Sequence, residues 1–384
     1  MRNQGSYPAA LESWWVKEAE RVTGLRGNAA LRALTDEIER MSARFTRERP
    51  EVLGDYTATP LGCAAYGVYF FPQAYARMVH ALSMWQGAGL ATRKDGDGVF
   101  SVLDMGSGTG AAGMAVASHA ACHGIAARVA AVDRSGLALE TAGRAFESCR
   151  ELWPGVAWEG AEGDLKTWQG VECQYDMIVL CLVLNELPGV PDRLDAVRRM
   201  LGGLKPGGVM MVLEPAGEES GGALMKMRDT LVAEGFRVLA PCPHNAPCPM
   251  RGVAGGGFCH DVRRWRVPAS LEFANRALQR TIWDVKVSYL VVGKGDTSNM
   301  SRSDDNGLVF RVVAPVTRTK AHVVTRGCCA DGTLRDFELQ CREVDKAELR
   351  AFDAWERGDL AVARVERLLG DGRTWRVKRM ERLL

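Results

Sequence analysis

Apolar residues in the first fifty positions recur at helical spacing. Leu11, Trp14, Trp15, Val22, Leu31, Leu34 and Ile38 are interleaved with charged residues, which predicts amphipathic helices over 1–50. "ERPEVLGDYTATPLG" breaks this rhythm. "AAYGVYFFPQAYARMVHALSMWQ" (64–86) then predicts a turn and an amphipathic helix starting near Pro72. From 99 to 240 the pattern changes to short apolar runs alternating with helical stretches: "VFSVLDMG", "RVAAVD", "VAWEGAEGD", "YDMIVLCLVLNE" and "GGVMMVLEP". Such alternation predicts a mainly parallel sheet with right-handed crossovers. "WDVKVSYLVVGKG" (283–295) alternates as a strand that returns to the sheet edge. "DTSNMSRSDDN" is polar enough for a linker. The last stretch holds "LVFRVVAP", "KAHVVTRG" and "TLRDFELQCRE", short strands closed by a final helix or strand.

The organisation expected is therefore a helical region over 1–90, an α/β domain over 91–240 and a Cys-rich segment over 241–282. A returning strand over 283–295, a linker over 296–307 and a β-rich module over 308–384 follow. With 47% hydrophobic and 25% charged residues the chain can bury a sizeable core. The net charge of +2 makes no whole-chain case for nucleic acid, so local basic patches must carry one. No apolar run approaches the roughly 18 residues of a membrane span. "MRNQGSYPAALESWWVKEAERV" has no apolar core of a secretory signal, and its acidic residues are unlike a mitochondrial presequence. The expectation is a cytosolic protein, or one whose targeting peptide has been removed.

Eleven cysteines without a secretory signal argue against a disulfide framework. Cys63, Cys122, Cys149, Cys173 and Cys181 fall in expected core segments and read as small buried hydrophobes. Cys341 reads as structural. Cys242, Cys248, Cys259 and the pair Cys328-Cys329 differ, because Pro, Gly and His surround them.

"VLDMGSGTGAAG" (102–113) is the strongest nucleotide signal. A strand ends in Asp104, and Gly106, Gly108 and Gly110 follow before a helix of small residues. Such glycines let the backbone approach a ligand. Asp133, 29 residues after Asp104, ends the second strand, where a carboxylate can take both ribose hydroxyls. Asp164 ends the third, where it can accept from an adenine amino group. The pattern resembles class I S-adenosylmethionine-dependent methyltransferases, a Rossmann-like α/β fold. A dinucleotide site fits less well, since its fingerprint opens on glycine rather than on an acid. In the methyltransferase family the fourth strand ends at the methyl acceptor. Here it reads "LVLNELPG", with Asn185 and Glu186 as weak catalytic candidates and strand-end capping as the competing reading.

"PCPHNAPCPM" sets thiols on a stiff backbone: Pro241, Pro243, Pro247 and Pro249 fix φ around Cys242 and Cys248. Cys259 follows in a Cys-x5-Cys-x10-Cys spacing, with Cys328 or Cys329 as the fourth thiol, and His244 and His260 as alternative ligands. Four thiolates suit zinc or an iron–sulfur cluster. Arg263, Arg264 and Arg266 surround Trp265, and Arg311, Arg318, Lys320 and His322 add a second basic stretch. Arginine pairs with phosphate and indole stacks on bases, so these are candidate RNA contacts.

A methyltransferase-like domain followed by "APCPHNAPCPM", "FCHDVRR", "SYLVVGKG" and "RGCCADG" resembles a methyltransferase-like family of mitochondrial small-ribosomal-subunit assembly proteins, with fungal, trypanosomal and bacterial relatives. The resemblance covers residues 60–340. It implies S-adenosylmethionine binding, a [4Fe–4S] cluster on Cys242, Cys248, Cys259 and Cys328 (Cys329 as the alternative), and association with small-subunit ribosomal RNA. It also implies small-subunit ribosomal proteins and other assembly factors as partners, no membrane, and a mitochondrial matrix location. A bacterial relative would be cytoplasmic. Ala330 stands where relatives carry Pro, and "LEPAGEESGG" departs from their Glu-Pro-Gly-Thr. Three functions follow: an assembly factor without obligatory methyl transfer, an active rRNA methyltransferase, or a small-molecule or protein methyltransferase with a structural zinc.

Overall fold

A computed structural model describes residues 6–48, 55–85, 98–168, 174–253, 257–293 and 307–383. The expected linker, apart from Gly307, and Cys173 lie outside them. In chain order, α1 (Ala9–Thr23), α2 (Gly27–Ala33) and α3 (Thr35–Ala43) precede the long α4 (Pro60–Met84). Then come β1 (Phe100–Met105), α5 (Ala111–Cys122), β2 (Ala127–Asp133), α6 (Gly136–Ser148) and β3 (Val156–Glu162). β4 (Tyr175–Cys181), α7 (Val190–Gly202) and β5 (Leu204–Pro215) follow. Next are α8 (Glu218–Ala233), β6 (Arg237–Ala240), β7 (Asp261–Arg264), α9 (Ala269–Ala277) and β8 (Asp284–Gly293). The last part holds β9 (Leu308–Val312), β10 (Thr317–Arg318), β11 (His322–Cys329), β12 (Leu334–Gln340), α10 (Lys346–Ala351), β13 (Leu360–Leu368) and β14 (Thr374–Arg382).

Two compact units share the chain. The first comprises Met1–Leu213 and Arg264–Val285, the second Glu214–Arg263 and Lys286–Leu384. In the first unit the strands run β3-β2-β1-β4-β5, all parallel. This is the class I methyltransferase-like Rossmann-type α/β fold, with an N-terminal helical extension. Strand order reverses between β1 and β4, the crevice where such sheets take ligands.

The helix read as starting near Pro72 starts twelve residues earlier. Thr59 caps it, its hydroxyl accepting from the Gly62 N–H at 3.0 Å, and Pro60 occupies the first turn. Pro72 sits inside the helix. The Gln73 side chain donates to the Tyr69 carbonyl at 2.8 Å, next to the carbonyl that Pro72 cannot serve. The period was hidden because this helix is buried on most sides. Gly67 lets α1 come close: a Cβ there would lie 1.9 Å from the Trp15 ring. Cys63 and Cys149 are buried as expected, whereas Cys122, at the end of α5, is exposed and Cys181 is only half-buried.

In the second unit β6 pairs antiparallel with β8. The C-terminal strands close a ring: β9 pairs β11 and β13, β11 pairs β12, β12 pairs β14 in parallel, and β14 pairs β13. The final segment, left open between helix and strand, forms β13 and β14. Phe310, Val323, Phe337, Leu339, Ala363 and Val377 fill the barrel. No described helix is long and apolar enough to cross a membrane.

Candidate functional site

The candidate cofactor site of the first unit is built on strand ends. Asp104 is fully buried, and its Oδ2 accepts from the Gly113 N–H at 2.8 Å. Its Oδ1 has no partner, nor have the buried Ser107 and Thr109 hydroxyls. Gly106, Gly108 and Gly110 all take positive φ. At Gly106 a Cβ would lie 2.4 Å from Val183 Cγ2, so only glycine fits. The Gly108 N–H donates to Asp133 Oδ2 at 2.7 Å, while Oδ1 of Asp133 accepts from Ser135. Asp164 is half-buried, and its Oδ1 accepts from the Lys166 N–H, shaping the turn after β3.

Past β4 the backbone turns through Leu182 at φ 61°, a left-handed residue the sequence did not signal. Glu186 is held by the Tyr56 hydroxyl at 3.3 Å and by Arg134 at 3.4 Å, while Asn185 Oδ1 is buried without a partner. Burial pushes the Asp104 carboxyl up to about 7, with the Asp133 charge adding to it. Burial does the same to Glu186, also to about 7, against the pull of Arg134. Asp133 is raised too, again by burial. The buried Asp104 carboxyl, with one oxygen unpartnered and no cation beside it, suits a ligand that brings positive charge, and the sulfonium and ammonium of S-adenosylmethionine do so. The glycine cradle and the unsatisfied Asp104 oxygen fit the same ligand. The residues therefore fit that cofactor.

In the second unit, Cys242, Cys248 and Cys259 line one pocket with Arg228, Tyr289 and Arg311. Cys328 packs in the same cluster as Cys248 and Cys259. Its neighbour Cys329 points the other way, into the barrel core, because successive strand residues face opposite sides. Burial lifts the Cys242 thiol to about 11, and Cys259 and Cys248 add to the rise. Cys248 and Cys328 are raised by burial and by the neighbouring thiols. A cationic metal centre would be needed to hold Cys242, Cys248 and Cys328 as thiolates. The donor set fits a four-thiolate group. Among the described residues no group of three or more His, Cys, Asp or Glu side chains stands ready to hold a single metal ion.

The loops are held by buried arginines. Arg228 donates to the carbonyls of His244 and Ala246. Asp229 accepts from the Cys248 N–H and from Arg251. Arg311, read from sequence among the RNA contacts, is buried instead: it ion-pairs with Asp261 and reaches Cys259 Sγ at 2.6 Å. His244 Nε2 lies 3.3 Å from Cys328 Sγ, and His260 stacks on Phe258.

The candidate RNA residues divide between the units. Arg263 is turned inward, paired with Asp359 at 2.8 Å and Glu356 at 3.6 Å. Arg264 and Arg266 are exposed. Trp265 is half-buried and lines a cleft with Trp283 that Glu272 and Asp284 share, so the cleft itself is not cationic. In the second unit Arg318 pairs with Asp353 at 3.1 Å and Lys320 is exposed. His322 lies 3.8 Å from Glu338.

A family model described as mitochondrial small ribosomal subunit Rsm22 matches residues 60–352. The human ribosome assembly protein METTL17, mitochondrial, is 25% identical over 276 residues, covering 68% of this chain and 55% of that protein. The chain thus spans about half the length of the curated relative it matches. Among solved structures, the N-methyltransferase NodS from Bradyrhizobium japonicum is 16% identical over 58% of this chain and 88% of that one, with a TM-score of 0.34. Magnesium protoporphyrin IX methyltransferase from Synechocystis is 11% identical over 66% and 91%, with a TM-score of 0.36. The fold rests on the strand order described above.

Proposed function

The chain belongs to the mitochondrial small ribosomal subunit Rsm22 family, and on that premise we propose that it is an assembly factor of that subunit, acting in the mitochondrion. It binds small-subunit ribosomal RNA and meets ribosomal proteins and other assembly factors there. The name of its human relative, a mitochondrial ribosome assembly protein, supports this reading. Cys242, Cys248, Cys259 and Cys328 would hold a [4Fe–4S] cluster that fixes the loops between β6 and β7 against β11. The observation that carries the proposal is the convergence of these four thiols from separate segments, while Cys329 faces away. A cluster of this kind supplies rigidity by tying distant loops to one centre.

S-adenosylmethionine would rest on Asp104, the Gly106–Gly110 turn and Asp133, with Asp164 at the adenine side. When bound it supplies an electrophilic methyl group. Glu186 is engaged by Tyr56 and Arg134 and offers no free base at the acceptor side. Methyl transfer is therefore the second reading. It is kept by the cation-seeking pocket, and a methyl mark lost in Gly108→Arg would establish it.

The test is the iron and acid-labile sulfide content of anaerobically purified protein. About four of each per chain, lost in Cys248→Ser, is expected. One zinc instead, or neither metal, would overturn the cluster.

A further inference from the structure

The C-terminal ring has a recognisable wiring. With its five ring strands taken in sequence, the first pairs with the second and fourth, the second with the third, and the third in parallel with the fifth. α10 lies between the third and fourth strands. This is the connectivity of the OB barrel, whose loops between strands one and two and between strands four and five flank a binding face. Here those connections are residues 313–321 and the β13–β14 hairpin.

The face itself is electrically settled. On β11 and β12 the outward residues are matched: Arg326 pairs with Asp336 at 2.6 Å, and Arg376, from β14, pairs with Glu338. The hairpin is not settled. Its stretch Arg364–Leu368 is exposed at every position, so β13 leaves the barrel there, and register shifts flank Val365. Two like-charge pairs stand directly opposite across it, Arg364 with Arg379 and Arg367 with Arg376. Such pairs destabilise a hairpin unless an anion lies over them. Arg379 and Arg376 have carboxylate partners. Arg364, Arg367, Arg373 and Lys378 pair with no carboxylate among the described residues. Of the nearby acids, Glu381 holds Arg379, and Asp371 accepts from Arg373 N–H, Thr374 N–H and the Thr374 hydroxyl to set the turn. Glu366 alone remains as an exposed acid on β13. Val365 and Leu368, 37% and 45% exposed, add apolar surface among the cations.

We propose that the β13–β14 hairpin is an RNA-gripping arm of an OB-type barrel. Arg364, Arg367, Arg373 and Lys378 take successive phosphates of a single strand, and Val365 and Leu368 lie against its sugars and bases. This rests on the RNA-binding reading above and gives it a location. A regular duplex fits less well, because apolar contacts to bases need an unpaired strand.

The test uses the full chain and four fluorescent or competing probes: a twelve-residue oligouridylate, a duplex of equal length, polyglutamate and a small-subunit rRNA fragment. Arg364→Glu/Arg367→Glu should weaken oligouridylate binding at least tenfold. Arg342→Glu/Lys346→Glu, an equal change of charge at exposed sites elsewhere on the module, should weaken it less than twofold. Should the first pair unfold the module, Arg373→Gln/Lys378→Gln in the turn should still cost about threefold or more. Equal losses in hairpin and control variants, or none, would overturn the arm. Tighter binding of polyglutamate than of oligouridylate would overturn it in favour of an acidic protein partner. If the wild type binds a small-subunit rRNA fragment and the hairpin variants bind it as well, the arm falls and the RNA reading stands. If the wild type binds no RNA, the RNA reading falls as well.

Discussion

Asp104 shows how much a single residue can carry. It ends β1, is buried, and gives one oxygen to Gly113 while the other has no partner. Burial pushes its carboxyl up to about 7 in the fold, from an ordinary 3.8. Between those values the folded chain holds a proton that the unfolded chain has lost. Stability contributed by this group is therefore greatest below pH 4 and falls as pH rises towards 7. Asp104→Asn removes that loss. Relative to wild type, the variant should be more stable at pH 8 than at pH 5 by on the order of 2 kcal/mol. Urea unfolding at both pH values measures this, and an equal offset at both would refute it. The sequence showed Asp104, Asp133 and the glycines because strand-end acids and glycine turns are local patterns. It did not show Arg311, which contacts Asp261 and Cys259 some fifty residues away and was read as an RNA contact. It favoured Cys328 over Cys329 only through the family resemblance, and the inward–outward alternation of β11 sets the two on opposite sides.

At the scale of elements, the sheet was legible, and of the long helix the part after Pro72 was read but not its first twelve residues. Apolar runs marked β1, β2, β4 and β5 because each is largely buried and bounded by polar turns, whereas β3 is mostly exposed. α4 has little periodicity because α1, α3, α5 and α9 leave it few exposed positions. Its contact with α1 depends on Gly67 beneath the Trp15 ring. In a free helix Gly→Ala gains roughly 1 kcal/mol. Here the added methyl meets an indole that is itself buried, and overpacking of this kind costs about 1–3 kcal/mol. Gly67→Ala should therefore destabilise despite its better propensity. A lowered urea midpoint is the expected result, and a raised one would mean that α1 is free to shift. The end of β13 was hard to assign for the opposite reason: from Arg364 to Leu368 every residue is exposed, so alternation disappears.

Over the whole molecule the net charge is only +2, and at physiological salt charges more than about 8 Å apart are largely screened from one another. Total charge therefore says little about RNA; the spacing of unpaired cations says more. Arg263 and Arg311 are taken up by internal carboxylates and Arg318 by Asp353, which removes three positions that look basic in the sequence. The hairpin keeps four. Each phosphate neutralised on a single strand contributes about −0.7 to the slope of log Kobs against log salt. Grip through the hairpin predicts a slope near −3 for the oligouridylate, on the same scale. Arg373→Gln/Lys378→Gln removes two contacts and should flatten the slope by about 1.4. A variant that binds more weakly with an unchanged slope would locate its defect outside phosphate contact. Titration of wild type and variant across a range of potassium chloride therefore separates a charge-borne grip from a shape-borne one.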